Sequence, residues 1–216
     1  MRRLIMIVLC TLTFYVFAQH QYTFVFLNKK LDAEVVEKPV LDKLMAGHMA
    51  NINRLATEKK LLAAGPFDGG GGIFVFNSLS IDTVAKWIET DPAVRAKRWN
   101  VEILRYQPTI GGICPVGENY VMTSYHFIRF WPEIKKFTVA DAPQLVAQHE
   151  AYWKKYNSEK PVVTFASFGE DDGDILITTS PVDENILIQD PAIVSGLMRY
   201  EKKMIWIAKG SFCEGK

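Results

Sequence analysis

Apolar positions along this chain change period several times, and each change marks an element. Tyr22-Thr-Phe-Val-Phe-Leu27 is a run of aromatic and β-branched residues, the composition of a strand. Leu41, Met45, His48, Ile52 and Leu55 then recur at spacings of four, three, four and three. That is the stripe of an amphipathic helix entered near Pro39. Leu61 to Ala64, a turn at Gly65-Pro66, the glycines 69–72 and the strand Ile73 to Phe76 predict a hairpin with a flexible loop. Ser80 is placed to cap a second helix, Ile81 to Glu89, which ends near Asp91-Pro92. Trp99 to Tyr106 reads as a closing strand. The order is β-α-β-β-α-β, the ferredoxin-like split arrangement.

The segment from Gln107 to Asn119 holds two prolines and three glycines and reads as a linker, with 108–119 as the stretch between units. The same order then recurs. Tyr125 to Phe130 is a strand, and Ala142, Leu145, His149, Tyr152 and Tyr156 mark a helical stripe. Val162 to Phe168 and Ile175 to Thr179 form a hairpin around the acidic turn 170–174. A short helix runs into Asp190-Pro191, and Met204 to Ala208 closes the unit. Tyr125 follows Tyr22 by 103 positions, His149 follows His48 by 101, and Asp190 follows Asp91 by 99. Three landmarks at near-constant offset predict a tandem duplication, with units at 19–107 and 120–216. The expected fold class is α+β. Two ferredoxin-like units would pack sheet to sheet as an α/β-barrel pseudo-dimer within one chain, each covering the apolar face that the other cannot bury alone.

The first residues follow another pattern. Arg2 and Arg3 precede an apolar run from Leu4 to Phe17, and Val16-Phe17-Ala18 offers the small residues a signal peptidase reads. Residues 1–18 therefore read as a signal peptide cleaved after Ala18, which makes the protein secreted or periplasmic. An uncleaved anchor is the other reading. The run is shorter than the roughly 20 residues a spanning helix needs. Cleavage would leave 23 basic against 24 acidic side chains, without the basic footprint of nucleic-acid binding and with no membrane span. Cys114 and Cys213 would remain. In an oxidising compartment they read either as a disulfide stapling the ends of the two units or as two separate thiols.

His48 lies on the apolar stripe of its helix, where a histidine reads as a core residue or as a catalyst. Its recurrence at His149, each followed about 40 residues later by an aspartate, points to the second reading. A carboxylate fixes the imidazole tautomer and stabilises the imidazolium, which makes the histidine an acid/base able to work near neutral pH. Asp91 and Asp190 each precede proline, so both also read as helix-terminating turns with no helical role of their own.

Gly47-His48-Met49, then Lys60-Leu61-Leu62-Ala63-Ala64-Gly65-Pro66, then Ser80 through Trp87 to Thr90-Asp91-Pro92-Ala93-Val94 resemble the YCII-related family. The resemblance implies a dimeric α/β-barrel fold and a site containing the histidine and aspartate. It also implies, more weakly, a lyase activity, since one relative is a dehydrochlorinase. The second unit keeps His149 and Asp190-Pro191 but carries Ala166-Ser167-Phe168 in place of the Gly-Pro turn, so it is a diverged copy.

Gly69 to Gly72 precedes a strand where a phosphate cradle would need a helix N-terminus, so it reads as a hairpin loop. The acidic turn lacks EF-hand spacing and reads as solvated. Trp87 and Trp153 read as packing residues. No cofactor or metal is expected, and no nucleophilic serine or cysteine sits in a recognisable setting. The expected partner is an apolar or aromatic small molecule, and the oligomeric state is left open. Two functions fit. One is acid-base proton transfer by His48 and Asp91, in an elimination or isomerisation, with His149 and Asp190 as a weaker second site. The other is non-catalytic ligand binding, or a structural role in the cell envelope.

Overall fold

The computed structural model describes residues 22–117, 119–133, 140–169 and 171–213; the signal-peptide reading of residues 1–18 lies outside them. The first half runs β1 (Tyr22–Lys29), α1 (Lys38–Thr57), β2 (Leu61–Pro66), β3 (Gly72–Phe76), α2 (Ile81–Ile88), α3 (Pro92–Arg95) and β4 (Trp99–Ile110). A short strand, β5 (Gly112–Ile113), follows. The second half runs β6 (Met122–Pro132), α4 (Ala142–Glu159), β7 (Val162–Ser167), β8 (Asp174–Thr178), α5 (Glu184–Leu187), α6 (Pro191–Val194), β9 (Met198–Ala208) and β10 (Phe212–Cys213). The fold is α+β.

Eight strands form one antiparallel sheet in the order β2-β3-β1-β4-β7-β8-β6-β9, and β5 pairs with β10 apart from it. Each half keeps its own order: β1 lies between β3 and β4, and β6 lies between β8 and β9. The expectation of two separate sheets meeting only by their faces needs correction. β4 continues through Gln107–Ile110, residues read as the start of a linker, and there it pairs with β7. Of the prolines and glycines that suggested a linker, Pro108 is carried by the bulged end of β4, where proline is tolerated, and Gly112 belongs to β5. At the other edge Phe67, the residue after β2, bridges to Ile205 of β9.

Alternation along each strand sorts the core into three layers. Phe24 and Phe26 of β1, Ile73 and Val75 of β3, Phe127 of β6, and Ile175 and Ile177 of β8 share a central cluster built by both halves. Val25, Leu27, Phe74 and Phe76 face the other way and pack with Leu55, Val84 and Ile88 of the helices. Ile128, Phe130, Phe165 and Leu176 do the same in the second half with Trp153 and Leu187. Strands buried on both faces read as unbroken apolar runs, which is why Tyr22–Leu27 shows no alternation. Arg129 of β6 ties the halves together. It is buried, pairs with Glu102 of β4 at 2.5 Å and lies 3.8 Å over the Phe26 ring.

Gly65 shows why the Gly-Pro pair stands where it does. Both residues belong to β2; they are not in a turn, which correction places the actual turn at 67–71. A Cβ on Gly65 would sit 2.6 Å from the Trp206 carbonyl oxygen of β9, so only glycine lets the two edges come this close. Cys114 and Cys213 are joined in a disulfide with Cα atoms 5.3 Å apart, linking the segments that carry the β5–β10 ribbon. Among the described residues no helix is long and apolar enough to cross a membrane.

Candidate active site

Three elements converge on His48. Its helix, α1, begins at Lys38 with Pro39 as its second residue, and buries only His48, Asn51 and Leu55. Gly47 lets α3 approach, since a Cβ there would touch the Pro92 ring at 3.0 Å. That approach brings Asp91 to His48, with Nδ1 and Oδ2 2.7 Å apart. The aspartate does have a helical role, contrary to the sequence reading. It is the N-cap of α3, its Oδ1 accepting from the backbone N–H groups of Ala93 and Val94, while Pro92 occupies the first helical position where its missing N–H costs nothing.

Asp91 is wholly buried. Burial pushes its carboxyl up, but the hydrogen bond and charge of His48, with the Val94 and Ala93 amides, outweigh that and hold it below its ordinary value. Asp91 is thus a carboxylate and can only accept, so His48 Nδ1 carries the proton it donates. Asn51 adds a weak bond to the same Oδ2 at 3.4 Å and is itself held by Arg54 and Thr90. The remaining ring nitrogen, Nε2, has no protein hydrogen-bond partner among the described residues. The ring lies 4.8 Å from Trp99 and 5.8 Å from Phe74, centroid to centroid, and lines a cleft of about 930 Å³. The cleft runs from the end of β1 beneath α1 and across the β2–β9 seam to Tyr120 and Met122. The apolar stripe of α1 gives Leu41, Met45 and Ile52 to this cleft, beside half-exposed Met49.

The second pair has the same core and a different surrounding. His149 Nδ1 lies 2.6 Å from Asp190 Oδ2, and Asp190 caps α6 as Asp91 caps α3. Trp153, read as packing alone, also donates its indole N–H to Asp190 at 2.8 Å. Both His149 and Asp190 are fully buried. Strand register aligns the halves residue by residue: β3 meets β1 at Gly72 opposite Leu27, and β8 meets β6 at Asp174 opposite Phe130. On that alignment Asp174 stands where the first half has Gly72, and Phe165 stands where it has Ala64. Helix spacing sets Trp153 in place of Ile52. Ile52, Ala64 and Gly72 all line the first cleft, so three enlargements fill the equivalent space around His149.

Asp174 is the residue the sequence reading missed. It was placed in a solvated turn, but hairpin register turns it inward beneath α4, 96% buried, with Oδ2 3.5 Å from His149 Nε2. Burial pushes its carboxyl up to about 6 against the lowering effect of His149 and Ser167. A strand start directly after a loop looks polar for either reason, so only the register distinguishes them. Among the described residues, no group of three or more His, Cys, Asp or Glu side chains is arranged to hold a metal ion.

Fold and site together define an α+β protein with a carboxylate-oriented histidine over an apolar cleft. Residues 22–107 match the YCII-related domain, the family whose motifs the first half carries. No curated protein matches the chain. Among solved structures, the chain is similar to a protein from Lactobacillus acidophilus provisionally described as a monooxygenase. The identity is 10% over 91% of this chain and 99% of that one, with a TM-score of 0.45. A second provisional monooxygenase, from Fusobacterium nucleatum, shows 8% identity over 91% and 96% at 0.46. A provisional chlorite dismutase shows 10% over 88% and 96% at 0.46.

Proposed function

We propose that the protein is an exported small-molecule enzyme that moves a proton without a cofactor, in an elimination or an isomerisation. One observation carries this: His48 is oriented by a buried carboxylate through Nδ1 and leaves Nε2 without a protein partner on a large cleft. In such a site neutral His48 takes a proton from a substrate carbon at Nε2, and Asp91 stabilises the imidazolium that forms. The proton then returns to another substrate atom, completing an isomerisation. Alternatively, the carbon electron pair expels a leaving group, completing an elimination. Asp91 is the positioning residue.

The two halves, 19–107 and 120–216, form on this reading an intrachain pseudo-dimer, supported by their matching strand orders and shared central cluster. The second half completes the barrel and its His149–Asp190 pair is structural, a reading supported by its complete burial. Removal of a signal peptide at residues 1–18 and a secreted or periplasmic location agree with the Cys114–Cys213 disulfide, a bond that persists in oxidising compartments.

The test needs no known substrate. Wild type and His48→Gln are incubated in D2O with a panel of lactones, keto acids and halogenated cyclic compounds, and deuterium incorporation or loss of a leaving group is read by mass spectrometry. Wild type is expected to process at least one compound, and His48→Gln is expected to do so about 10²–10⁴-fold more slowly. Binding of such compounds by both proteins with equal and negligible turnover would instead establish the non-catalytic role.

A further inference from the structure

The walls of the cleft are electrostatically one-sided. Although the chain has 25 basic and 24 acidic side chains, no aspartate or glutamate among the described residues lines the cleft, whereas Lys29, Lys30 and Arg98 do. These cations gather at one end. Lys29 pairs across the sheet with Trp99, Arg98 precedes Trp99 in the chain, and Trp99 is the ring packed 4.8 Å from His48. Lys29 and Arg98 have no carboxylate partner among the described residues, since Arg98 donates only to the Glu34 carbonyl oxygen. Lys30 has a loose one, Asp32 at 3.9 Å, which is 83% exposed and therefore well screened. Away from this end the lining is apolar: Leu62, Ala63, Met122 and Trp206 continue it to the β2–β9 seam.

We infer that the cleft takes an apolar organic acid bound as its anion, with the carboxylate at the Lys29–Arg98 end beside His48 and the hydrocarbon or ring body along the seam. This deepens the function proposed above and rests on it for the location of the reacting end. An unopposed cation cluster attracts a negative head, while an apolar trough of this size buries the rest by the hydrophobic effect. A neutral hydrocarbon would leave the cations unused, and a cation would be repelled by them. The second half shows the contrast. In place of Met49 and Asn53 on the cleft side of the helix it has Glu150 and Lys154, which pair with each other at 3.0 Å.

Binding is tested independently of turnover with two fluorescent probes that share one ring system: 8-anilinonaphthalene-1-sulfonate, an anion, and N-phenyl-1-naphthylamine, which is neutral. The anion is expected to bind the purified protein more tightly, and to weaken as salt is raised. Lys29→Gln and Arg98→Gln should each weaken it roughly two- to fivefold, the scale of a solvent-exposed charge pair, and leave the neutral probe unchanged. Ala64→Phe, which copies Phe165 of the second half, should abolish binding of both; Ile52→Trp serves the same purpose if that variant does not fold. Equal affinity for the two probes, indifference to both charge substitutions, or persistence of binding in the filled variants would overturn the inference. His48→Gln should keep the preference for the anion, so loss of turnover and loss of anion binding are separately visible.

Discussion

At the scale of single residues, Asp91 carries two duties that a substitution can separate. It caps α3 through Oδ1 and holds His48 through Oδ2. Asparagine can still cap, so Asp91→Asn should cost little stability yet lower turnover, because it no longer favours the imidazolium. Asp91→Ala loses both and should destabilise the fold by about 2–4 kcal/mol, measured by urea denaturation. Asp174 offers a test with the opposite sign. Its buried carboxyl holds a proton more tightly than the unfolded chain does, so its contribution favours folding fully below about pH 4 and is lost as pH rises through about 6. Asp174→Asn should therefore be more stable than wild type at pH 8, on the order of 1–3 kcal/mol, with the gain vanishing near pH 4. An equal gain at both pH values would exclude this account. The His-Asp pairs were legible in the sequence because two residue types recurred together at nearly the same offset. Asp174 was not, because a residue beside a turn glycine gives no sign of which way its side chain points.

At the scale of elements, helix stripes and hairpins were readable from period alone, but the meaning of two motifs was not. The Gly65-Pro66 pair resembled a turn, since local chemistry is the same whether glycine serves a turn or a close crossing. The distance to Trp206 decides for the crossing. Gly65→Ala should thus destabilise by about 1–3 kcal/mol, where an alanine in an ordinary strand would be neutral or better; thermal melting measures it. The stripe of α1 was read correctly as one face, though not what it faces. Replacing Trp153 by Ile and Phe165 by Ala would give the second half the smaller side chains of the first. Each truncation should cost about 3–5 kcal/mol, and the double variant should gain a second binding site for the neutral naphthylamine probe.

At the scale of the whole molecule, the α+β character and the recurring order of elements were legible because the two halves place matching landmarks at near-constant offsets. The joining of β4 to β7 was not, since it depends on a strand outlasting its apolar pattern into a segment rich in proline and glycine. The disulfide spans 99 positions and so restricts a long stretch of the unfolded chain. Replacing Cys114 and Cys213 by alanine should lower stability by about 2–4 kcal/mol, and reducing agent should have the same effect on wild type and none on the variant.

The presence of two halves with matching strand orders in one chain has a consequence for how such a protein can change. In an assembly of identical chains every substitution appears twice, so a bulky Phe165 or a buried Asp174 would close both clefts at once. Here each replacement falls on one side only. The half holding His149 is thereby free to trade an open pocket for a tightly filled interior, while the half holding His48 keeps the space a small molecule needs. Covalent continuity lets one half become a rigid support and the other keep an open face within a single chain.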